Sequence, residues 1–513
     1  MSSESQQTPP AGTDPAMTEA TTNKAKDNVV VTRHSALVNG QELHYTATAG
    51  TMVLREEAQK DGVSEGHKPR ARVFFVAYAL DSDTPTTRPL TFSFNGGPGS
   101  SSVWLHLGLL GPRRVVMGDA GALKGPPWGL QGNDFTLLPQ TDLVFIDPVS
   151  TGYSRAEEGQ KPADFHGFSP DLDTVAEFIR LYTTRAGRWL SPKFLIGESY
   201  GTTRAAALSS LLGQKHGLFL NGVMLVSSIL DFSTVDFTPG HDLAYVLHLP
   251  SYAAVSWYHG RLDHGRLDHG RLDHGRLAGE RTLAEVRAEA EAFADGEYSR
   301  ALHLGARLPE AERQAVAETF SRLTGLSAEF VLRHDLRVPL WRYCRELLAS
   351  KGQVVGRLDG RFTAPVRLGD SGEGTEFDPS MSAIQGPYTA AINHLLHAEL
   401  GFSSDLPYEV LTSRVQPWSY REFENAHVRV SDSLRLAMHQ NPHLKVYVAS
   451  GYYDFATPYH ATRHTFDHLG LAPELRANVR ESFYEAGHMM YVHLPSLKAQ
   501  HADLKSFLEW ATQ

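Results

Sequence analysis

One strand–turn–helix segment constrains the fold of this chain more than any other part of its sequence. An apolar strand pattern runs into Gly197-Glu198-Ser199-Tyr200-Gly201, and a helix rich in small residues follows, in the stretch LIGESYGTTRAAALSSLL. Glycines must flank the serine because so sharp a turn leaves no room for side chains. The start of the helix provides N–H groups without partners. This combination predicts a nucleophilic serine beside backbone donors that can stabilise an oxyanion.

Further apolar runs predict strands that are buried on both faces of a sheet. Helical patterns separate several of these runs, and one that opens at residues 169–171 has an apolar face formed by Leu172, Val175, Ile179 and Tyr182. This alternation predicts an α/β fold with a mostly parallel central sheet flanked by helices. The strand runs are PLTFSF, DLVFID, KFLIG, GVMLVSS and KVYVAS.

The same patterns divide the chain into four segments. The strand rhythm stops in the middle of the chain, where long segments rich in Ala, Glu and Arg predict a helical insertion. An insertion between two parts of one sheet usually forms a cap over a site. The predicted segments are a disordered tail (1–28), the first part of the core (29–235, opened by a hairpin about Asn39-Gly40), the cap (236–394) and the second part of the core (395–513).

Four HGRLD-type pentapeptides occupy residues 259–278, inside the predicted cap. Five residues advance a helix by about 140° and change the face of a strand, so successive histidines share a face in neither structure. A histidine-rich metal site remains the alternative, but the spacing favours tandem duplication in a tolerant loop.

A serine nucleophile needs a general base, and the base needs a carboxylate that orients it. Asp454 follows the apolar strand LKVYVAS, and His488 follows the next strand pattern, just before the final helix. The order Ser199, Asp454, His488 is that of enzymes built on this turn. Its position directly after the last strand favours His488 over its neighbour His493.

A glycine-rich loop, FNGGPGSSS at residues 94–102, follows an earlier strand. A phosphate-binding loop would require G-x-x-x-x-G-K-[ST], or G-x-G-x-x-G at a helix start, and this loop has neither. The loop is therefore predicted to bring a second backbone N–H group to the oxyanion. No cofactor and no metal site are predicted.

Composition excludes several classes of function. Lys and Arg number 48 against 58 Asp and Glu, and this net charge of −10 without a basic run argues against nucleic acid and anionic membranes. No apolar run approaches the ~20 residues of a membrane helix. Cys344 is the single cysteine, so no internal disulfide can form, and it is predicted to be buried. The polar first stretch lacks the apolar region of a secretory signal, which indicates a cytoplasmic protein. The acidic charge balance favours a peptide or small-molecule substrate.

Five motifs, in this order along the chain, resemble those of the serine carboxypeptidases, α/β hydrolases that remove the C-terminal amino acid from peptides. The resemblance runs from about Leu90 to the C-terminus and covers the cap only loosely. The motifs are FNGGPGSSS, DPVSTGYS, GESYG, GYYDFATP and AGHMMY.

The resemblance implies an α/β-hydrolase fold with a helical cap, and a role for each residue of the site. It implies a nucleophile, an orienting acid and a base (Ser199, Asp454, His488), an oxyanion hole of backbone N–H groups (Gly97, Tyr200) and groups that bind the terminal carboxylate of the substrate (Asn95, Gly96, Glu198). Two carboxylates within hydrogen-bond reach repel unless one is protonated. We therefore expect Glu198 to have an elevated pKa and the activity to favour acid.

The chain also departs from the family at three positions. Many secreted members have a tryptophan and a cysteine where Ser93 and Ser100 stand here, and a second glutamate where this chain has Leu109. Losing that acid removes a potential hydrogen-bond partner of Glu198. Two alternatives stay open: an acyltransferase or esterase on the same scaffold, and a catalytically silent binding protein that keeps the fold.

Overall fold

The computed structural model describes residues 25–262, 281–367 and 376–513. Most of the predicted N-terminal tail and most of the HGRLD repeat lie outside these residues, so both predictions stay untested. The division of the chain into four segments likewise remains a prediction.

The strands form one large sheet and two small hairpins. Along the described residues they are β1 (Asn28–Val38), β2 (Gln41–Lys60), β3 (Val63–Leu80), β4 (Leu90–Phe94), β5 (Arg113–Val116), β6 (Gly129–Gly132), β7 (Asp142–Ile146), β8 (Arg155–Ala156), β9 (Lys193–Ser199), β10 (Gly222–Ser228), β11 (Gln353–Val355), β12 (Thr363–Pro365), β13 (Lys445–Gly451) and β14 (Val479–Tyr484).

The large sheet has ten strands in the order β1-β2-β3-β7-β4-β9-β10-β13-β14, with β8 paired to β3. The six strands from β7 to β14 in this order are mutually parallel, while β1, β2 and β3 pair antiparallel. The first hairpin turns at Asn39-Gly40, where both residues have positive φ, as the sequence predicted. The prediction of a mostly parallel α/β sheet is confirmed.

The helices cover both faces of the sheet and build the cap. They are α1 (Val103–Leu105), α2 (Phe168–Arg185), α3 (Tyr200–His216), α4 (Leu243–Tyr258), α5 (Leu283–Phe293), α6 (Ser299–Leu304), α7 (Glu310–Thr324), α8 (Ala328–Arg333), α9 (Leu340–Glu346), α10 (Pro379–His394), α11 (Ser431–Gln440), α12 (Tyr459–Asp467), α13 (Pro473–Arg476) and α14 (Leu494–Ala511).

Two hydrophobic clusters lie on opposite faces of the sheet. Within β9, Phe194 and Ile196 belong to the cluster that packs on α10 and α14, while Leu195 belongs to the one that packs on α2, α3 and α11. This alternation follows from the period of two along a strand. Burying each such side chain contributes about 1.5–3 kcal/mol, and the central strands are fixed from both sides.

A third cluster forms the core of the cap. It joins α4, α5, α7, α8 and α9, and it includes Tyr453 and Phe455, the neighbours of Asp454. Cys344 is buried in it, as predicted. The cap is not wholly helical, because β11 and β12 form an antiparallel hairpin there. The packing on both sides of Asp454 ties the cap to the edge of the sheet that carries the candidate site.

Candidate active site

Ser199 ends β9 in a conformation that few residues adopt. Its φ of 60° and ψ of −132° make the strand turn sharply into α3. A Cβ at Gly197 would lie 2.1 Å from the Gly201 carbonyl oxygen, and one at Gly201 would lie 2.7 Å from the Phe94 carbonyl oxygen. Glycine is therefore required on both sides of the serine, as the sequence indicated.

His488 and Asp454 form a buried hydrogen-bonded pair at the ends of neighbouring strands. His488 Nδ1 lies 2.7 Å from Asp454 Oδ2, and the hydroxyl of Thr457 donates to the same oxygen over 2.7 Å. The backbone N–H groups of Ala456 and Thr457 donate to the other oxygen. Four donors fix the carboxylate, which in turn fixes the imidazole.

The electrostatics of His488 suit a general base. Burial alone would lower the pKa of His488, but the charge and hydrogen bond of Asp454, together with the charge of Glu198, raise it above its ordinary value. With Nδ1 directed to Asp454, the other ring nitrogen, Nε2, is available to accept a proton. In the part of the chain that the structure describes, no hydrogen bond joins this nitrogen to Ser199 Oγ. The histidine–acid half of the predicted triad is therefore formed, and the serine–histidine half is not hydrogen-bonded.

The end of β10 connects the histidine loop to the serine strand. Ser227 donates its hydroxyl to the carbonyl oxygen of His488 over 2.6 Å, and the next residue, Ser228, pairs with Ser199. His493 lies elsewhere, with Nδ1 2.8 Å from Ser496 Oγ at the start of α14. Of the two histidines, only His488 contacts Asp454 among the described residues.

Glu198 is a buried carboxyl group directly before Ser199. Asn95 Nδ2 donates to Oε1 over 3.0 Å, and the hydroxyl of Tyr491 donates to Oε2 over 2.6 Å. Burial raises its pKa to about 7, against the lowering effects of His488 and of the two donors. Glu198 can therefore exchange its proton near neutral pH.

The glycine-rich loop lies against the serine turn. A Cβ at Gly96 would be 2.4 Å from the Tyr200 nitrogen, so the two backbones touch. Gly97 has a φ of 105°, and its N–H group has no acceptor among the described residues. Tyr200 is the first residue of α3, so its N–H group has no partner within the helix. Neither of the two predicted oxyanion donors, the N–H groups of Gly97 and Tyr200, has an acceptor in the described part of the chain.

A buried ion pair and a buried carboxyl group hold the two ends of this loop. Arg204 donates to the Asn95 carbonyl oxygen over 2.7 Å and pairs with Asp171 at 2.7 Å, and both side chains are almost fully buried. At the other end, the Ser102 N–H donates to Asp147 Oδ1 over 2.8 Å. Burial raises the pKa of Asp147 to about 7. The loop is thus anchored before and after its glycines.

The sequence patterns indicated no role in the site for Tyr491, Arg204 or Asp171. Tyr491 lies in the AGHMMY motif, three residues after His488, so a spacing signal was present. Arg204 carried no comparable signal, because a charged residue on a helix is ordinarily solvated. Leu109, at the position of the missing acid, is completely buried, and Tyr491 supplies the second hydrogen bond to Glu198.

Two other predictions concern the absence of features. Over residues 25–262, 281–367 and 376–513, no cluster of three or more His, Cys, Asp or Glu side chains is arranged to hold a metal ion. In the same residues, no helix has the length and hydropathy needed to cross a membrane.

Comparisons with known proteins agree with the geometry. Residues 55–238 match the family model for serine carboxypeptidase. Serine carboxypeptidase-like 45 of Arabidopsis thaliana is 27% identical over 174 residues, which cover 32% of this chain and 35% of that protein. Pheromone-processing carboxypeptidase KEX1 of Yarrowia lipolytica is 28% identical over 149 residues, 28% of this chain and 22% of that protein. The chain therefore spans about a third or less of the length of these curated relatives.

A solved structure extends the similarity along the chain. The prohormone-processing carboxypeptidase KEX1(delta)p from Saccharomyces cerevisiae matches with a TM-score of 0.53 and 16% identity, covering 90% of this chain and 91% of that one. At this identity the likeness concerns the fold, which is that of an α/β hydrolase. The resemblance found in the sequence is confirmed: residues 55–238 match the serine carboxypeptidase model, and the fold is shared with a solved carboxypeptidase.

Proposed function

We propose that this chain is a serine-type carboxypeptidase, which removes C-terminal residues from peptides through an acyl-enzyme on Ser199. The observation that carries the proposal is the placement of Glu198, a buried carboxyl group with a pKa of about 7, directly beside the nucleophile. An endopeptidase, which binds no free C-terminus, has no need for such a group. A carboxypeptidase needs it to recognise the free end of its substrate.

Recognition of the terminal carboxylate depends on a proton. Below about pH 7, Glu198 is largely protonated and can donate a hydrogen bond to the substrate. Asn95 Nδ2 carries two hydrogens, of which Glu198 accepts one, and the other remains for the ligand. The Gly96 N–H group assists. The terminal carboxylate of the substrate then accepts hydrogen bonds from Glu198, Asn95 and Gly96, and no negative charge of the protein opposes it.

The reaction follows from the histidine–acid pair. Nε2 of His488 takes the proton of Ser199 as Oγ attacks the scissile carbonyl carbon, and the N–H groups of Gly97 and Tyr200 hold the oxyanion. The C–N bond breaks when His488 returns the proton to the leaving nitrogen, which releases the C-terminal amino acid. Water, deprotonated by His488, then attacks the acyl-enzyme and frees the shortened peptide and the serine. Asp454 keeps the imidazole in the required orientation.

The test is a digest of a defined peptide mixture, followed by mass spectrometry. We expect ladders shortened one residue at a time from the C-terminus, and no product from Ser199→Ala. Peptides amidated at the C-terminus are the matched substrate control and should be cleaved far less at low pH. Internal cuts, or no cuts, would contradict the proposal.

Two further measurements separate the alternative functions. If an added alcohol or amine captures the acyl group while free amino acids fail to accumulate from peptides, the protein is an acyltransferase or esterase. If a fluorophosphonate probe fails to label Ser199, the site is catalytically silent. The proposal requires both labelling and release of C-terminal residues.

A further inference from the structure

One loop of the cap contacts both segments that carry the histidine–acid pair. Residues 356–362 join β11 to β12. The loop is closed by its own hydrogen bonds, from Gly356 N to the Phe362 carbonyl oxygen (2.9 Å) and from Phe362 N to the Asp359 carbonyl oxygen (3.1 Å). It therefore meets the site as a compact unit.

Three backbone hydrogen bonds attach this loop to the catalytic segments. One fixes the backbone of the histidine itself, and the other two involve the residues on either side of Asp454. They run from His488 N to the Leu358 carbonyl oxygen (2.7 Å), from Phe455 N to the Arg357 carbonyl oxygen (3.1 Å) and from Gly360 N to the Tyr453 carbonyl oxygen (2.9 Å).

Asp359 adds a side-chain contact to the backbone N–H of Gly487, the residue directly before the histidine. Its Oδ2 accepts the N–H of Gly487 over 3.1 Å. Arg361 holds the same carboxylate, with Nε 3.0 Å from Oδ1 and Nη2 2.6 Å from Oδ2, and Asp119 lies 3.3 Å from the guanidinium. Asp359 and Arg361 are each 5% exposed, so little solvent can replace these contacts.

The approach of Asp359 to the histidine loop is close. A Cβ at Gly487 would lie 2.4 Å from Asp359 Cβ, so any side chain there would displace one of the two backbones. The carboxylate thus reaches the Gly487 N–H only because residue 487 is a glycine. A shift of Asp359 would carry the neighbouring peptide, and with it His488.

A purely structural ion pair in the cap offers a comparison. Asp242 and Arg337 form a two-contact pair, at 2.7 and 3.0 Å, whose side chains are more exposed than those of Asp359 and Arg361. In the described residues the Asp242 carboxylate bonds only Arg337 and no catalytic segment. Asp359 differs in having a second partner, the residue directly before His488.

We propose that Asp359 is a positioning residue for His488. It fixes the Ala486–Gly487 peptide, directly before the peptide of His488, and so sets the direction of the imidazole relative to Ser199. The inference rests on the proposed function, since it takes His488 as the general base. A displacement of about 1 Å in a catalytic group can cost about 100-fold in rate, so a residue that touches no substrate can have a large effect.

The test measures the second-order rate constant for labelling of Ser199 by a fluorophosphonate probe, using the full chain. Labelling requires the serine and its base but no peptide carboxylate. We expect Asp359→Ala to label about 10- to 100-fold more slowly than wild type. Its peptide KM should stay near the wild-type value while kcat falls. Asp242→Ala is the matched control and should label at the wild-type rate.

Two more variants keep the outcome clear. Asp359→Ala leaves the buried Arg361 without its main partner and with only the longer contact to Asp119, which can prevent folding. The double variant Asp359→Ala/Arg361→Met removes both charges yet still leaves Gly487 N–H without an acceptor, so it should show the same slow labelling. Asp359→Asn keeps an acceptor oxygen and should recover part of the rate.

Labelling of either Asp359→Ala protein at the wild-type rate would overturn the proposal. A wild-type chain that labels normally but releases no C-terminal residue would contradict only the proposed function. A folded wild-type chain that the probe does not label would contradict both.

Discussion

Tyr491 donates its hydroxyl hydrogen to Glu198 Oε2 across 2.6 Å. Burial holds the pKa of Tyr491 well above its ordinary value, so the phenol remains a donor throughout the working range of a protein. A second carboxyl group at the position of Leu109 could share its proton and titrate with Glu198. In this chain the hydrogen-bond partner Tyr491 does not titrate. The pKa of Glu198, about 7, therefore sets the pH at which this carboxyl group ionises.

Removing this donor should move the pH dependence of substrate binding. The hydrogen bond from Tyr491 lowers the pKa of Glu198, so Tyr491→Phe should raise that pKa further. Glu198 then stays protonated to higher pH, and the rise of KM with pH shifts upward. The measurement is KM against pH for both proteins. Tyr447→Phe, which removes a buried hydroxyl bonded to Tyr484, is the control and should leave the curve in place.

The catalytic roles can be tested by three substitutions. Ser199→Ala and His488→Ala should each abolish turnover while the fold survives. Asp454→Asn should lower kcat by about 10⁴-fold, because the amide favours the wrong imidazole tautomer. Circular dichroism of the purified variants checks folding, and peptide release checks activity. Turnover near the wild-type level in His488→Ala would place the base on another residue.

The sequence indicates which candidate catalytic residues lie near one another, because they follow strand ends. Apolar runs identify β9 and β13, a weaker strand pattern precedes His488, and parallel strands bring their carboxyl ends to one edge of the sheet. The partners of these residues are harder to predict. Tyr491 and Glu198 are separated by 293 positions, and Gly487 and Asp359 by 128.

The missed contacts share a physical reason. They depend on how the cap and the last loop pack, and neither hydrophobic period nor turn chemistry encodes that. The strands β11 and β12 have three residues each, too few for a period of two to be recognised. Arg204 is 1% exposed although its helix position alone suggested a solvated side chain.

The buried pair of Arg204 and Asp171 should dominate the stability of the site. Arg204→Met leaves the Asp171 carboxylate buried without its partner, and we expect a loss of about 3–5 kcal/mol in the free energy of unfolding. Urea denaturation measures it. Arg180→Met, which breaks the half-buried pair with Glu177 on the surface of its helix, should cost less, about 1 kcal/mol. Equal losses in both variants would contradict this prediction.

The loss of unfolding free energy in Arg204→Met should also depend on pH. Burial already raises the pKa of Asp171 above its ordinary value, and removing the arginine, whose charge and hydrogen bond lower it, raises it further. An acid whose pKa is higher in the folded state destabilises the fold increasingly as pH rises. The difference from wild type should therefore be larger at pH 8 than at pH 5.

The pH dependence of KM tests the role of Glu198 most directly. Below its pKa of about 7 the carboxyl group is neutral and can donate to the peptide carboxylate, whereas above it two negative charges oppose each other. KM for a peptide with a free C-terminus should therefore rise as pH increases through 7. Glu198→Gln keeps an N–H donor of similar shape but cannot ionise, so its KM should stay nearly flat, with some loss of efficiency at low pH.

Amide substrates complete this experiment, because a peptide amidated at the C-terminus carries no charge to oppose Glu198. Its KM should change little with pH in the wild-type protein and in Glu198→Gln alike. Ionisation of His488 affects acid and amide peptides equally. The difference between their KM curves therefore isolates the effect of Glu198 ionisation. Four parallel curves would mean that Glu198 only shapes the serine turn. The carboxypeptidase assignment would then lose the observation on which it rests.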